Sequence, residues 1–401
     1  MRRLATSLIA LTLASPALAD TDYSALIAEK GLAAAAAEIS SNGALTPADR
    51  FALGGVRFLR SVEGVLQARW QSGVTDDMRM LPIFRLPIEE NPNPEPFKPA
   101  MVSETFARFL IGMGAANKAL SGIPDDADFG VTLRFDDIWF DINTNSARDP
   151  GESLLDVAGP MLMGWEWAER DPATPGPVVR FDAADAAWLS AYTHVLAGVS
   201  EVILAYDPTE SIDKVLKTRA QLQALNMTAS AAPPFYDDSF GQFADYAYAV
   251  IDALDQEPDA EGLKRAHGHF LAMVSENRRF WQLVEAETDN DSEWLPNARQ
   301  QSAFGIDLPP ETGAMWMAVL DEMEATLKGD LLVPYWRLGD EAGINIGRMF
   351  TEPARIDLAG WIQGADALPY MEKGRLITGE SWGRFEQMMG GQAMLLSLWL
   401  N

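Results

Sequence analysis

Residues 141–152 read Asp-Ile-Asn-Thr-Asn-Ser-Ala-Arg-Asp-Pro-Gly-Glu. Side-chain oxygens stand at the first, third, fifth, ninth and twelfth positions of this run, on Asp141, Asn143, Asn145, Asp149 and Glu152. That spacing wraps a short loop around a hard divalent cation, and a large all-oxygen coordination shell favours calcium over magnesium. The three carboxylates repel one another, so without a cation the loop is under pressure to open.

Over these twelve residues alone, the chain resembles an EF-hand or the related dockerin-type calcium loop. The resemblance implies one side-chain oxygen each from Asp141, Asn143 and Asn145, and the backbone carbonyl of Ala147. Asp149 would bind directly or through water, and Glu152 would close the site with both oxygens. Two positions depart from the pattern. Ser146 stands where a glycine ordinarily supplies a positive φ, at a steric cost of about 1 kcal/mol. Arg148 stands where an aliphatic residue ordinarily pairs with a sister loop, so paired sensor hands are not expected. The expected arrangement is strand–loop–helix around one structural Ca²⁺, in the weak extracellular affinity class of about 10⁻⁴ to 10⁻³ M.

Other chemistry-bearing residues are sparser. Glu285, Glu287, Asp289, Asp291 and Glu293 alternate along a connection that ends at Trp294. In extended backbone they share a face and could gather a second cation, although a solvated acidic loop is the commoner meaning of such a run. The long stretch 287–310 is the first choice for the wall of a ligand cleft. His267 and His269 are two apart, so on a helix they point to different sides and cannot chelate one ion. His267 falls on an apolar stripe with Leu263, Phe270 and Val274 and reads as a hydrogen-bonded core histidine. His194 shares a small-residue face with Glu201, which suggests a close helix crossing. Trp165-Glu166-Trp167 resembles a sugar platform, but its two tryptophans diverge on a helix. No nucleophile elbow, phosphate-binding loop or dinucleotide fingerprint is visible, and no catalytic residue can be nominated.

The first nineteen residues read as a Sec-type leader. Arg2 and Arg3 open it, an apolar run follows, and Ala17-Leu18-Ala19 invites cleavage after Ala19. A periplasmic or secreted location is expected, and with no cysteine the chain carries neither a lipid anchor nor a disulfide. The balance of 31 basic to 58 acidic residues gives a net charge of −27. Such a surface disfavours nucleic acid and anionic membrane, and leaves calcium and neutral or cationic small molecules or glycans as partners. No later run suggests membrane insertion.

The rest of the chain must position these groups, and its patterns are mostly helical. Helices are expected at 21–40, from Thr46 to about Trp70, and at 101–120, 153–169, 182–205, 211–226, 240–254, 259–286 and 311–328. Thr46-Pro47-Ala48-Asp49 and Asp182-Ala-Ala-Asp185 are start signals, and Gly329 is a stop. The proline-rich segment 82–99 is expected to cross the surface without regular structure. Strands are expected at 131–135 and 138–142, with a bulge at Asp136-Asp137, and again around 344–346 and 355–358. The fold class is mainly α: one helical domain over 20–401, with a mixed α/β region at 330–401 forming a small β appendage. The function expected is a calcium-binding protein of binding or structural role. The alternatives are a carbohydrate-active hydrolase or lyase on a helical toroid, and a periplasmic metal-handling protein.

Overall fold

The computed structural model describes residues 21–75, 85–171, 173–226, 238–290, 292–305 and 308–389. The leader, Asp291 and the first residues of the proline-rich segment lie outside them. The described chain is mainly helical with two small antiparallel sheets. Helices α1 (Tyr23–Ser40), α2 (Pro47–Gln71) and α3 (Met101–Leu120) come first, followed by strand β1 (Val131–Arg134). Helices α4 (Leu154–Met163) and α5 (Trp165–Glu169) precede strand β2 (Val178–Phe181), which pairs antiparallel with β1. Then come α6 (Ala183–Ala205), α7 (Thr209–Asn226), α8 (Asp238–Leu254), α9 (Ala260–Ala286) and α10 (Thr312–Lys328). The C-terminal region holds β3 (Val333–Pro334), β4 (Ala342–Ile344), α11 (Ile346–Thr351), α12 (Leu358–Gln363), β5 (Met371–Lys373) and α13 (Glu380–Met388).

Helix α6 is the centre of the packing, pressed most extensively against α9 and also against α3. Helix α2 packs on α3, α1 on α2, and α10 bridges α9 to α13. Among the described helices, α6 has the length and apolar composition of a spanning segment, but 56% of its most apolar window is buried within the fold. Its apolar character serves the core, because both of its broad sides face other helices. The three-stranded sheet β3–β4–β5 carries its own small cluster of Ile344, Ala367 and Tyr370.

The start and stop signals work as their chemistry requires. Thr46 and Asp49 form a reciprocal capping box with Pro47 in the first turn, and Asp182 and Asp185 form another on α6. Gly329 ends α10 in left-handed backbone at φ 79°. Helix α1 is kinked at Gly31, where φ is 73° and the Trp139 ring occupies the space a Cβ would need.

Four expectations need correcting. In place of a bulge, Phe135–Asp137 makes a turn of 3₁₀ helix. Side-chain bonds pin it: Asp136 accepts the Gly176 amide, and Asp137 accepts Ser24 Oγ and Arg134 Nε. Residues 138–142 consequently form no strand, only a bridge from Trp139 to Ser153. The helix from 153 breaks at Gly164, which takes φ 56°. Residues 355–358 are not a strand either, because Asp357 caps α12 by accepting the Ala359 amide.

Candidate metal centres and an apolar cavity

The 141–152 loop is clamped at its base. Phe140 N–H donates to the Glu152 carbonyl (2.8 Å) and Leu154 N–H to that of Ile138 (2.9 Å), which zips the incoming chain to the outgoing one. From α2, Glu63 accepts the Asp141 amide (3.0 Å) and Gln67 donates to the Asp141 carbonyl (2.7 Å). Trp139 Nε1 donates to the Ile27 carbonyl (3.1 Å), anchoring the same segment on α1. Ser153 then starts α4 through a capping box with Asp156.

Inside the loop, side-chain oxygens accept backbone amides. Asp141 takes Ser146 N–H (3.1 and 3.2 Å), Asn143 takes that of Asn145 (3.0 Å), and Asn145 takes that of Ala147 (2.7 Å). Ser146 lies at φ 62°, the left-handed backbone expected of the sixth position, and Thr144 joins it at φ 61°. Asn143 and Asn145 both donate their amide groups to one oxygen of Asp149 (2.7 and 2.6 Å). The third, fifth and ninth positions therefore meet at one point.

Glu152, only 4% exposed, turns onto the loop backbone and accepts from Ile142 (2.8 Å), Asn143 (3.3 Å) and Asp149 (2.9 Å). Burial raises its pKa, and these amides work against the rise. The Ala147 amide points to Asn145, while Asp141 and Glu152 hold opposite parts of the loop. The twelve residues share one loop without closing every oxygen about one centre.

The tighter acidic group lies elsewhere. Among the described residues, Asp182, Glu287 and Asp289 are the three acids that each offer an oxygen within 4.8 Å of the others. Arg180 is the cation beside them, 3.3 Å from Asp289 and 3.9 Å from Asp182. Burial and the charge of Asp182 push Glu287 up to about 7. Burial also raises Asp182, and it raises the buried Asp185 well above its ordinary value, with the charge of Asp182 adding to the effect. Sequence pointed to Glu287 and Asp289 but not to Asp182, which reads there only as a helix cap. Glu285 is not in the group, and Glu293 is buried outside it, where its charge still acts on Glu287 and Asp185.

Beside this acidic end, a cavity of about 210 Å³ runs through the core. Ile138, Phe140, Leu154 and Val157, which flank the 141–152 loop, form part of its wall. Trp188 and Tyr192 on α6 stack at 5.5 Å along it, and Trp294 meets Trp188 edge-on at 5.1 Å. Trp294 belongs to the long connection expected to border a cleft. Asp185 is the carboxyl in the lining, and Arg85 the guanidinium.

The histidines separate as their spacing requires. His267 Nε2 donates to the Leu327 carbonyl (2.8 Å), which fixes its tautomer, and its ring stacks on Phe350. His194 does not meet Glu201. Its Nδ1 lies 2.9 Å from Nδ1 of His269, while Glu201 pairs with Arg265 at 2.7 Å. Burial, then the neighbouring His269, lowers His194 to about 4.

No family model, curated protein or solved structure matches this chain.

Proposed function

We propose that this chain is an exported, calcium-binding helical protein whose role is to bind a small molecule, with the 141–152 loop as its one structural calcium site. The donor chemistry suits the ion: carboxylates of Asp141, Asp149 and Glu152, amide oxygens of Asn143 and Asn145, and the Ala147 carbonyl are all hard oxygen donors. Calcium would bring charge neutralisation, and rotation of the two asparagine amides would turn their oxygens toward it in place of their N–H groups.

One observation carries the reading. The residues on both sides of the loop line the apolar cavity, so bracing the loop braces the cavity wall. A cavity near 150 Å³ is known to hold benzene, and about 210 Å³ is room for a similar apolar body bearing a short polar arm. The aromatic rings, and a carboxyl of Asp185 that burial holds toward its neutral form, favour a neutral ligand.

The test is thermal unfolding of the mature chain with calcium and after chelation, read beside native mass spectrometry. The wild type should bind one ion and gain about 2.7 kcal/mol at a hundredfold excess of calcium over Kd. Asp141→Ala combined with Glu152→Gln should remove both the ion and the gain. An undiminished calcium response in that variant would exclude this loop as the site.

A further inference from the structure

A second opening, of about 320 Å³, lies between α1, α2 and α3 on the far side of α2 from the apolar cavity residues Phe51 and Leu59. Arg57 and Arg60 on α2 and Arg108 on α3 line it, together with Ser61 and Thr105. No acid is among the lining residues. In a chain with 58 acids to 31 bases, three guanidiniums around one opening reverse the local charge.

Arginines elsewhere find carboxylates. Arg134, Arg278, Arg279 and Arg348 each pair with two acids. Among the described residues, none of Arg57, Arg60 and Arg108 lies within 4.0 Å of a carboxylate in an ion pair. Glu63 feels the charge of Arg60 but bonds to the Asp141 amide. Arg57 is instead held by donating to the Ala115 carbonyl across the helix pair (3.1 Å), which fixes its position over the opening.

Small residues keep the space open. Gly64 and Gly112 line it, and a Cβ on Gly112 would overlap the Ser61 side chain. Ser61 Oγ bonds to the Arg57 carbonyl, leaving its oxygen able to accept or share a further bond.

We propose that this opening is a binding site for a small molecule bearing a multiply charged oxyanion, held by the guanidiniums of Arg57, Arg60 and Arg108. Guanidinium forks match carboxylate and phosphate oxygens two at a time, so three of them recognise a dianion or trianion better than a halide. The volume falls at the lower end of small-molecule sites, about 300–1,000 Å³. The net charge of −27 repels an anionic polymer, while a compact anion can lie wholly within the reversed local field. This site does not depend on the calcium reading.

The experiment is calorimetric titration of the mature chain with pyrophosphate, with citrate and with chloride at matched ionic strength. Buffers are passed over a chelating resin, because both polyanions sequester calcium. Pyrophosphate, citrate or both should bind while chloride does not, and which of the two binds tighter assigns the phosphate or carboxylate source. Arg60→Gln and Arg108→Gln, both at exposed positions, should each weaken binding about tenfold. The double variant should lose about a hundredfold, and the carboxylate-paired Arg278→Gln should bind as wild type. Circular dichroism checks that the variants fold. The proposal is overturned if neither polyanion binds, or if the double variant binds as wild type does.

Discussion

The 141–152 loop and the acidic end of α6 are both carboxylate-rich, and they handle their charge in opposite ways. In the loop every acidic side chain has N–H partners: Asp141 takes the Ser146 amide, Asp149 takes two asparagine amides, and Glu152 takes three backbone amides. At the α6 end, Asp182, Glu287 and Asp289 crowd together with Arg180 as the neighbouring cation, and the strain appears as Glu287 raised to about 7. A local loop can answer its charges with its own backbone. A cluster assembled from distant segments gathers more charge than its few donors can answer, the Ala184 amide on Asp182, the Gln300 amide on Glu287 and Arg180 on Asp289, so its carboxyls take up protons or attract a cation.

That contrast predicts substitutions of opposite sign. The largest effect is expected at Glu152. Glu152→Ala strands three loop amides beside a buried site and should cost about 3 kcal/mol in urea unfolding without calcium. A loss below about 1 kcal/mol would mean that the loop amides find water and that the two regions are less different than they look.

The histidine pair between α6 and α9 offers an intermediate effect. His194 falls to about 4 in the fold from an ordinary 6.5, so its contribution to stability is complete above pH 6.5 and is lost as pH drops toward 4. The groups facing the pair are His269 itself, Glu201 and Arg265. The loss should reach about 2 kcal/mol after allowance for partial exposure, and His194→Gln should flatten that part of the pH–stability curve. An unchanged slope in the variant would assign the acid sensitivity to the carboxylates.

The smallest effect is expected at Glu287, with the reverse sign to Glu152. Its raised pKa makes the ionised form costly in the fold, so the penalty begins above pH 4.5 and is complete above about 7. Glu287→Gln should therefore stabilise the protein by about 1 kcal/mol at pH 8 and by almost nothing at pH 4. Destabilisation at pH 8 would show that a bound cation, not bare repulsion, sets the energy of this cluster.

Much of the helical frame was legible because its signals are local. Thr46, Asp182 and Gly329 act through neighbours three or four residues away, and the structure uses each as its chemistry suggests. The positive φ of Ser146 was legible for the same reason. The expected bulge at Asp136-Asp137 failed because those acids bond to Gly176, Ser24 and Arg134, and two of these three lie far away in sequence. The small-residue face of His194 and Glu201 suggested a close helix crossing, and α6 does pack closely on α9, but that His194 would meet His269 there depends on the partner helix and is not in the local pattern.

Sequence by itself determined the helical class, the main caps and stops, and an oxygen-rich loop, because each depends on backbone geometry within a turn or two. Only the tertiary structure decided that Asp182 joins Glu287 and Asp289, that Trp294 walls a cavity with the loop's flanks, and that three arginines from two helices surround one opening. Those juxtapositions follow from which helix faces pack, and packing is a property of the whole core that no short window of residues encodes.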